Sequence, residues 1–147
     1  MTDARASFPP TLTSATDARH FAERVLDRWG LEDLRDTVRL LVSELVINAV
    51  LHAGTTITLC LRLDPDRLLV EVTDGSTSPP VLRVPGPSAP TGRGLQILAS
   101  LSDEWGVDSL PVGKTVWFAL ASTPVAGRGD RGSLGESEVL DPSEQGR

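Results

Sequence analysis

The chain has 147 residues, 39% hydrophobic and 23% charged, a balance that suits one globular domain with a packed core. Twenty acidic against fourteen basic residues give a formal charge of −6, and Lys114 is the one lysine, which argues against direct nucleic-acid binding; Cys60, the single cysteine, excludes an intrachain disulfide. The opening Met1-Thr2-Asp3-Ala4-Arg5 lacks the apolar core of a signal peptide, and no apolar run approaches the ~18–20 residues that cross a bilayer, so a cytoplasmic location away from membranes is expected.

Residues 1–14 read as an N-terminal arm, loose or strand-forming, with Phe8 ahead of Pro9 and Pro10. Ser14, Thr16 or Asp17 offers a cap for a first helix running to about Trp29. Its apolar positions Ala18, Phe21, Ala22, Val25, Leu26 and Trp29 recur with helical period, and Gly30 ends it. A second helix is expected from about Glu32 and Asp33, where acids suit the N-terminal dipole, to His52.

That helix is apolar nearly all round, yet Glu44, Asn48 and His52 recur every four residues. At about 100° per residue they share one narrow arc, one turn apart. Leu40 and Ile47 flank the arc, while Val42, Val46, Ala49 and Ala53 cover the opposite face. A helix of this kind is expected to be buried, and no basic residue within one turn neutralises Glu44. The row either faces a cavity that holds water, a cation or a ligand, or marks a solvent seam with His52 and Gly54 closing the helix.

The period then changes to two. Ile57, Leu59, Leu61 and Leu63 alternate with polar neighbours, Asp64-Pro65-Asp66 makes a turn, and Leu68, Val70, Val72 and Asp74 share one face of the next strand. The pair reads as an antiparallel hairpin with Asp74 at the end of an inward-facing row. Residues 75–91 carry five prolines and no period, a loop long enough to be functional or disordered. Thr91-Gly92-Arg93-Gly94-Leu95 leads into a short amphipathic helix through Leu98 and Leu101. Trp105–Val107 and Thr115–Leu120 read as two more strands, turning near Pro111 and Gly113. The expected domain thus spans residues 15–121, and residues 122–147 form a Gly-, Ser- and Glu-rich disordered tail.

Gly92-Arg93-Gly94 before a helix lets backbone N–H groups approach an anion, although a flexible loop exit explains the same residues. It is no dinucleotide fingerprint, because Ile97 holds the third glycine place. Gly113-Lys114-Thr115 is no phosphate-binding P-loop, because Asp108 stands where that motif needs glycine. Asp74 either accepts a hydrogen bond from an exocyclic amine or stabilises the turn at Gly75. No Cys/His metal cluster and no Ser-His-Asp signature is present.

The ordered set Glu44-Leu45-Val46-Ile47-Asn48, Asp74-Gly75-Ser76, Gly92-Arg93-Gly94-Leu95 and Gly113-Lys114-Thr115 resembles the GHKL, or Bergerat-fold, ATPase/kinase superfamily. Within it the set is most similar to small bacterial anti-sigma-factor serine/threonine kinases. The resemblance covers roughly residues 15–120 and implies a two-layer α/β (α+β) sandwich, a mixed and mostly antiparallel sheet with helices on one face. It implies ATP and Mg²⁺ as cofactors. Asn48 would hold the Mg²⁺, Glu44 would act as general base, and Asp74 would accept the adenine amine. Gly92, Arg93 and Gly94, with Leu95 beside them, would meet the phosphates, and Thr115 would support the adenine end. Where the family carries Asp-x-Gly-x-Gly, this chain has Asp74-Gly75-Ser76-Thr77-Ser78, which implies a stiffer hinge and altered affinity or turnover.

A stand-alone domain of this size has no room for the dimerising phosphoacceptor hairpin of histidine kinases. The implied function is therefore a serine/threonine kinase that phosphorylates an anti-sigma-factor antagonist and sequesters a sigma factor. A non-catalytic, ATP-responsive interaction module is the alternative. A homodimer is a further expectation, since relatives commonly form one.

Overall fold

The computed structural model describes residues 2–76 and 94–122, with the backbone alone at 94 and 95. Strand β1, Thr2–Phe8, lies within the segment read as an arm; Ala4 and Ala6 turn inward and are buried. It pairs antiparallel with β2 from Thr2 opposite Leu63 to Phe8 opposite Ile57. Pro9 and Pro10 follow, where a strand would need N–H donors that proline lacks.

Helix α1, Thr13–Trp29, starts ahead of the expected caps. Ser14 is buried and its hydroxyl donates to the Pro9 carbonyl at 2.6 Å, so it ties the helix to the preceding turn and caps no helical N–H. Gly30, at φ 73°, closes the helix, with the Leu31 N–H reaching back to the Leu26 carbonyl at 2.8 Å. A 3₁₀ turn, Glu32–Leu34, feeds helix α2, Arg35–His52.

α2 is buried on one face only. Val38, Leu41, Val42, Leu45, Val46 and Ala49 are buried, and the helix packs on α1 and on the sheet. Leu40 and Leu51 are exposed, and Glu44, Asn48 and Ile47 are half-buried. The all-round burial expected from composition is not found, because a two-layer fold covers a helix from one side. The α1/α2 rim carries the ion pairs Arg39–Glu23, at 3.4 Å, and Arg35–Asp27.

Strands β2, Ile57–Leu63, and β3, Arg67–Asp74, form the expected hairpin, closed by the Asp64 N–H on the Arg67 carbonyl at 3.0 Å. Helix α3, Gly94–Leu101, packs against α2 and buries Leu98. Strands β4, Glu104–Ser109, and β5, Lys114–Ala121, make a second hairpin, and β5 docks beside β3. The sheet order is β1-β2-β3-β5-β4, and all four pairings are antiparallel, so the sheet holds no parallel pair and is not mixed among the described residues.

The core lies between the helices and the inward sheet face of Ile57, Leu59, Leu61, Leu68, Val70, Val72, Val116, Phe118 and Leu120. Each such side chain contributes about 1.5–3 kcal/mol on leaving water. Phe8 of β1 meets Phe21 of α1 edge to face at 6.5 Å, which pins the first strand to the helical layer. Among the described residues no helix is long and apolar enough to cross a membrane.

Candidate functional site

Three elements converge at the end of β3. Along this strand the inward residues are Leu68, Val70, Val72 and then Asp74, which is buried. Opposite them on β5 stand Leu120, Phe118, Val116 and Lys114. The last pair on this inner face is therefore charged, and Lys114 donates through Nζ to Asp74 Oδ1 at 3.0 Å. The Ser76 N–H donates to the same oxygen at 2.9 Å. Oδ2 takes no partner among the described residues.

The turn after Asp74 is tied to the helical layer. Gly54, at φ 66°, carries the chain out of α2 in the left-handed conformation, and the next residue, Thr55, accepts the Gly75 N–H on Oγ1 at 2.7 Å. The end of α2 and the end of β3 are thereby joined. Gly113, at φ 109°, crosses directly above this junction; a Cβ there would collide with the Asp74 carbonyl oxygen. Both its dihedral and its closeness to β3 demand glycine.

Back along α2 from Thr55 come His52, exposed, then Asn48 and Glu44, half-buried. Asn48 and Glu44 are one turn, roughly 6 Å, apart along the axis. An acceptor at the sheet end and a carboxamide–carboxylate pair on the adjoining helix are the candidate ends of one elongated site, with different chemistry at each. His52 is the basic residue of the last turn of α2, which closes with the Ala53 and Gly54 N–H groups both returning to the Ala49 carbonyl.

Thr115 is not beside Asp74. Successive strand residues point to opposite faces. Lys114 shares the inner face with Asp74, while Thr115 lies on the other face with its hydroxyl 2.7 Å from that of Thr73. Thr115, expected at the adenine end, thus stands on the opposite face of the sheet from Asp74, and the residue adjoining Asp74 is Lys114. Inward Val116, Phe118 and Leu120 carried the signal for this, since stepping back by two reaches Lys114. Gly94 begins α3; Gly92, Arg93 and the Leu95 side chain lie outside the described residues.

A family model for the histidine kinase-like ATPase domain matches residues 8–120. The chain belongs to this family, the GHKL superfamily of the resemblance. No curated protein matches the sequence significantly. A histidine kinase-like ATPase domain is an ATP-binding fold, and the site's donor set suits that ligand. Asp74 Oδ2 can accept an amine hydrogen, and the half-buried Asn48 carries a carboxamide oxygen of the kind a hard cation takes. Among the described residues no group of three His, Cys, Asp or Glu forms an all-protein metal cage. Mg²⁺ needs none, as it takes one or two protein oxygens beside water and phosphate.

Proposed function

We propose that this histidine kinase-like ATPase domain is a serine/threonine protein kinase of the anti-sigma type, working in the cytoplasm. It phosphorylates an anti-sigma-factor antagonist and holds a sigma factor, acting on transcription through protein contacts and not through DNA. The observation that carries the reading is Glu44 one turn from Asn48 on the half-buried face of α2. Binding ATP uses no base, whereas transfer to a hydroxyl is speeded by one. When bound, Mg²⁺ would supply charge neutralisation on the phosphates, with Asn48 Oδ1 as its protein ligand.

The chain's own part is mainly positioning, as phosphoryl transfer demands. Asp74 Oδ2 accepts the adenine amine. Glu44 takes the proton of the antagonist's serine or threonine hydroxyl as its oxygen bonds to the γ-phosphorus; the bond to the β–γ bridging oxygen breaks and ADP leaves. Gly92, Arg93 and Gly94 are assigned to the phosphates by their place in the motif order. A homodimer is part of this proposal.

Transfer of label from radioactive ATP to co-encoded candidate antagonists tests the reading. Glu44→Ala is expected to keep ATP affinity within a few-fold and to lower transfer by about 10²–10⁴. Wild type that binds ATP but labels no partner overturns the kinase reading. The ATP-responsive interaction module then takes its place, a reading that the altered Asp74-Gly75-Ser76 box favours, because Ser76 and Ser78 stand at the family's glycine positions.

A further inference from the structure

The function proposed above leaves Lys114 without a task, yet its placement is unusual. The other inward residues of β5 are apolar, and a lysine taken out of water is costly unless paired. An apolar pair at 74 and 114 would close this end of the sheet at least as well. The ion pair therefore needs a reason beyond packing.

The geometry supplies one. The Lys114 ammonium and the Ser76 N–H both meet Oδ1, at 3.0 and 2.9 Å. Two donors on one oxygen fix the rotation of the carboxylate about its Cβ–Cγ bond. The other oxygen, Oδ2, is then held in one direction, and no described residue draws on its accepting capacity. A carboxylate without Lys114 would turn and share both oxygens among the nearby donors.

We propose that Lys114 is a positioning residue that makes Asp74 a single-oxygen reader of an exocyclic amine, and so sets the preference for adenine. The inference rests on the nucleotide reading of this site. An adenine amine donates to Oδ2. Guanine carries a carbonyl at the same ring position, and acceptor would then face acceptor. Lys114, engaged on Oδ1, does not touch the base.

The test compares affinity for ATP and for purine riboside triphosphate, which lacks the 6-amino group. Titration calorimetry on wild type, Lys114→Met and Lys114→Arg gives the ratio, and thermal melts establish that each variant is folded. Wild type is expected to prefer ATP by on the order of ten- to a hundred-fold. Lys114→Met removes the charge at nearly constant length, and the preference should fall below about threefold, almost wholly through weaker ATP binding. Lys114→Arg keeps the charge, but its fork can span both carboxylate oxygens and occupy Oδ2, so it too should lose the preference.

A merely structural ion pair would survive in Lys114→Arg with the preference intact, and that result in either folded variant overturns the inference. If Lys114→Met does not fold, Lys114→Arg decides alone. A wild type that binds both nucleotides equally overturns the inference and leaves the site standing. A wild type that binds neither removes the site and the inference together.

Discussion

The sheet end of the site and its helix end are held in different ways. Around Asp74, contacts cross three elements: Lys114 from β5, Thr55 from the exit of α2, and Gly113 pressed onto the β3 backbone. Along Glu44 and Asn48 the site is one half-buried helix face, positioned by the apolar residues on the far side of α2. At the sheet end, the atoms proposed to read the nucleotide are the same ones that hold the fold. At the helix end the side chains proposed to act on the phosphates stand apart from the buried packing ones, so they can change while the fold stays. Gly75, at the variable place of the Asp-x-Gly-x-Gly box, makes the bond that joins the two ends, its N–H donating to Thr55.

Substitutions can break this contrast. The largest effect is expected from Asp74→Ala, which leaves Lys114 buried without its partner. Urea denaturation should show a loss of about 3–5 kcal/mol, alongside at least a tenfold fall in ATP affinity. A loss below about 1 kcal/mol would mean that water already reaches the pair and that the two ends do not differ.

Gly113→Ala comes next, at about 1–3 kcal/mol, because it meets both an unfavourable dihedral and the β3 carbonyl. Gly54→Ala is its control: it shares the positive φ but faces open space, so it should cost only about 1 kcal/mol. Equal losses would say that the close approach to Asp74 carries no energy.

Thr115→Val should cost about 1 kcal/mol through the lost hydroxyl pair with Thr73, and leave ATP affinity unchanged in calorimetry. A large fall in affinity would return Thr115 to the nucleotide. Asn48→Ala should be the mildest to the fold, within about 0.5 kcal/mol by thermal melt, although Mg²⁺-dependent ATP binding drops. A marked loss of stability would show Asn48 packing as part of the core and erase the distinction between the ends.

Much of this was legible in the sequence, and the exceptions share a cause. Helices α1 and α2 and the β2/β3 hairpin declare themselves through local period, and Asp74 stands out as a carboxylate ending an inward row. What local period does not carry is which strands become neighbours. That β5 lies between β3 and β4, and so sets Lys114 against Asp74, depends on pairing across forty residues of chain. Thr115 drew attention through its place in a motif, while alternation along β5 assigns that inner position to Lys114. The outer face of α2 misled because composition records how apolar a helix is, not how many layers cover it.

The first strand has a consequence for how the molecule is made. β1 completes the sheet only against β2, whose residues leave the ribosome after both long helices. During synthesis the α1/α2 helical hairpin can assemble from neighbouring segments while Thr2–Phe8 waits without a mate, and such distant pairing is slow by nature. Thr2–Phe8 is thus translated before the helices yet joins the native structure only after them, which makes the emergence of Leu63 the moment when the nascent chain can seal that border.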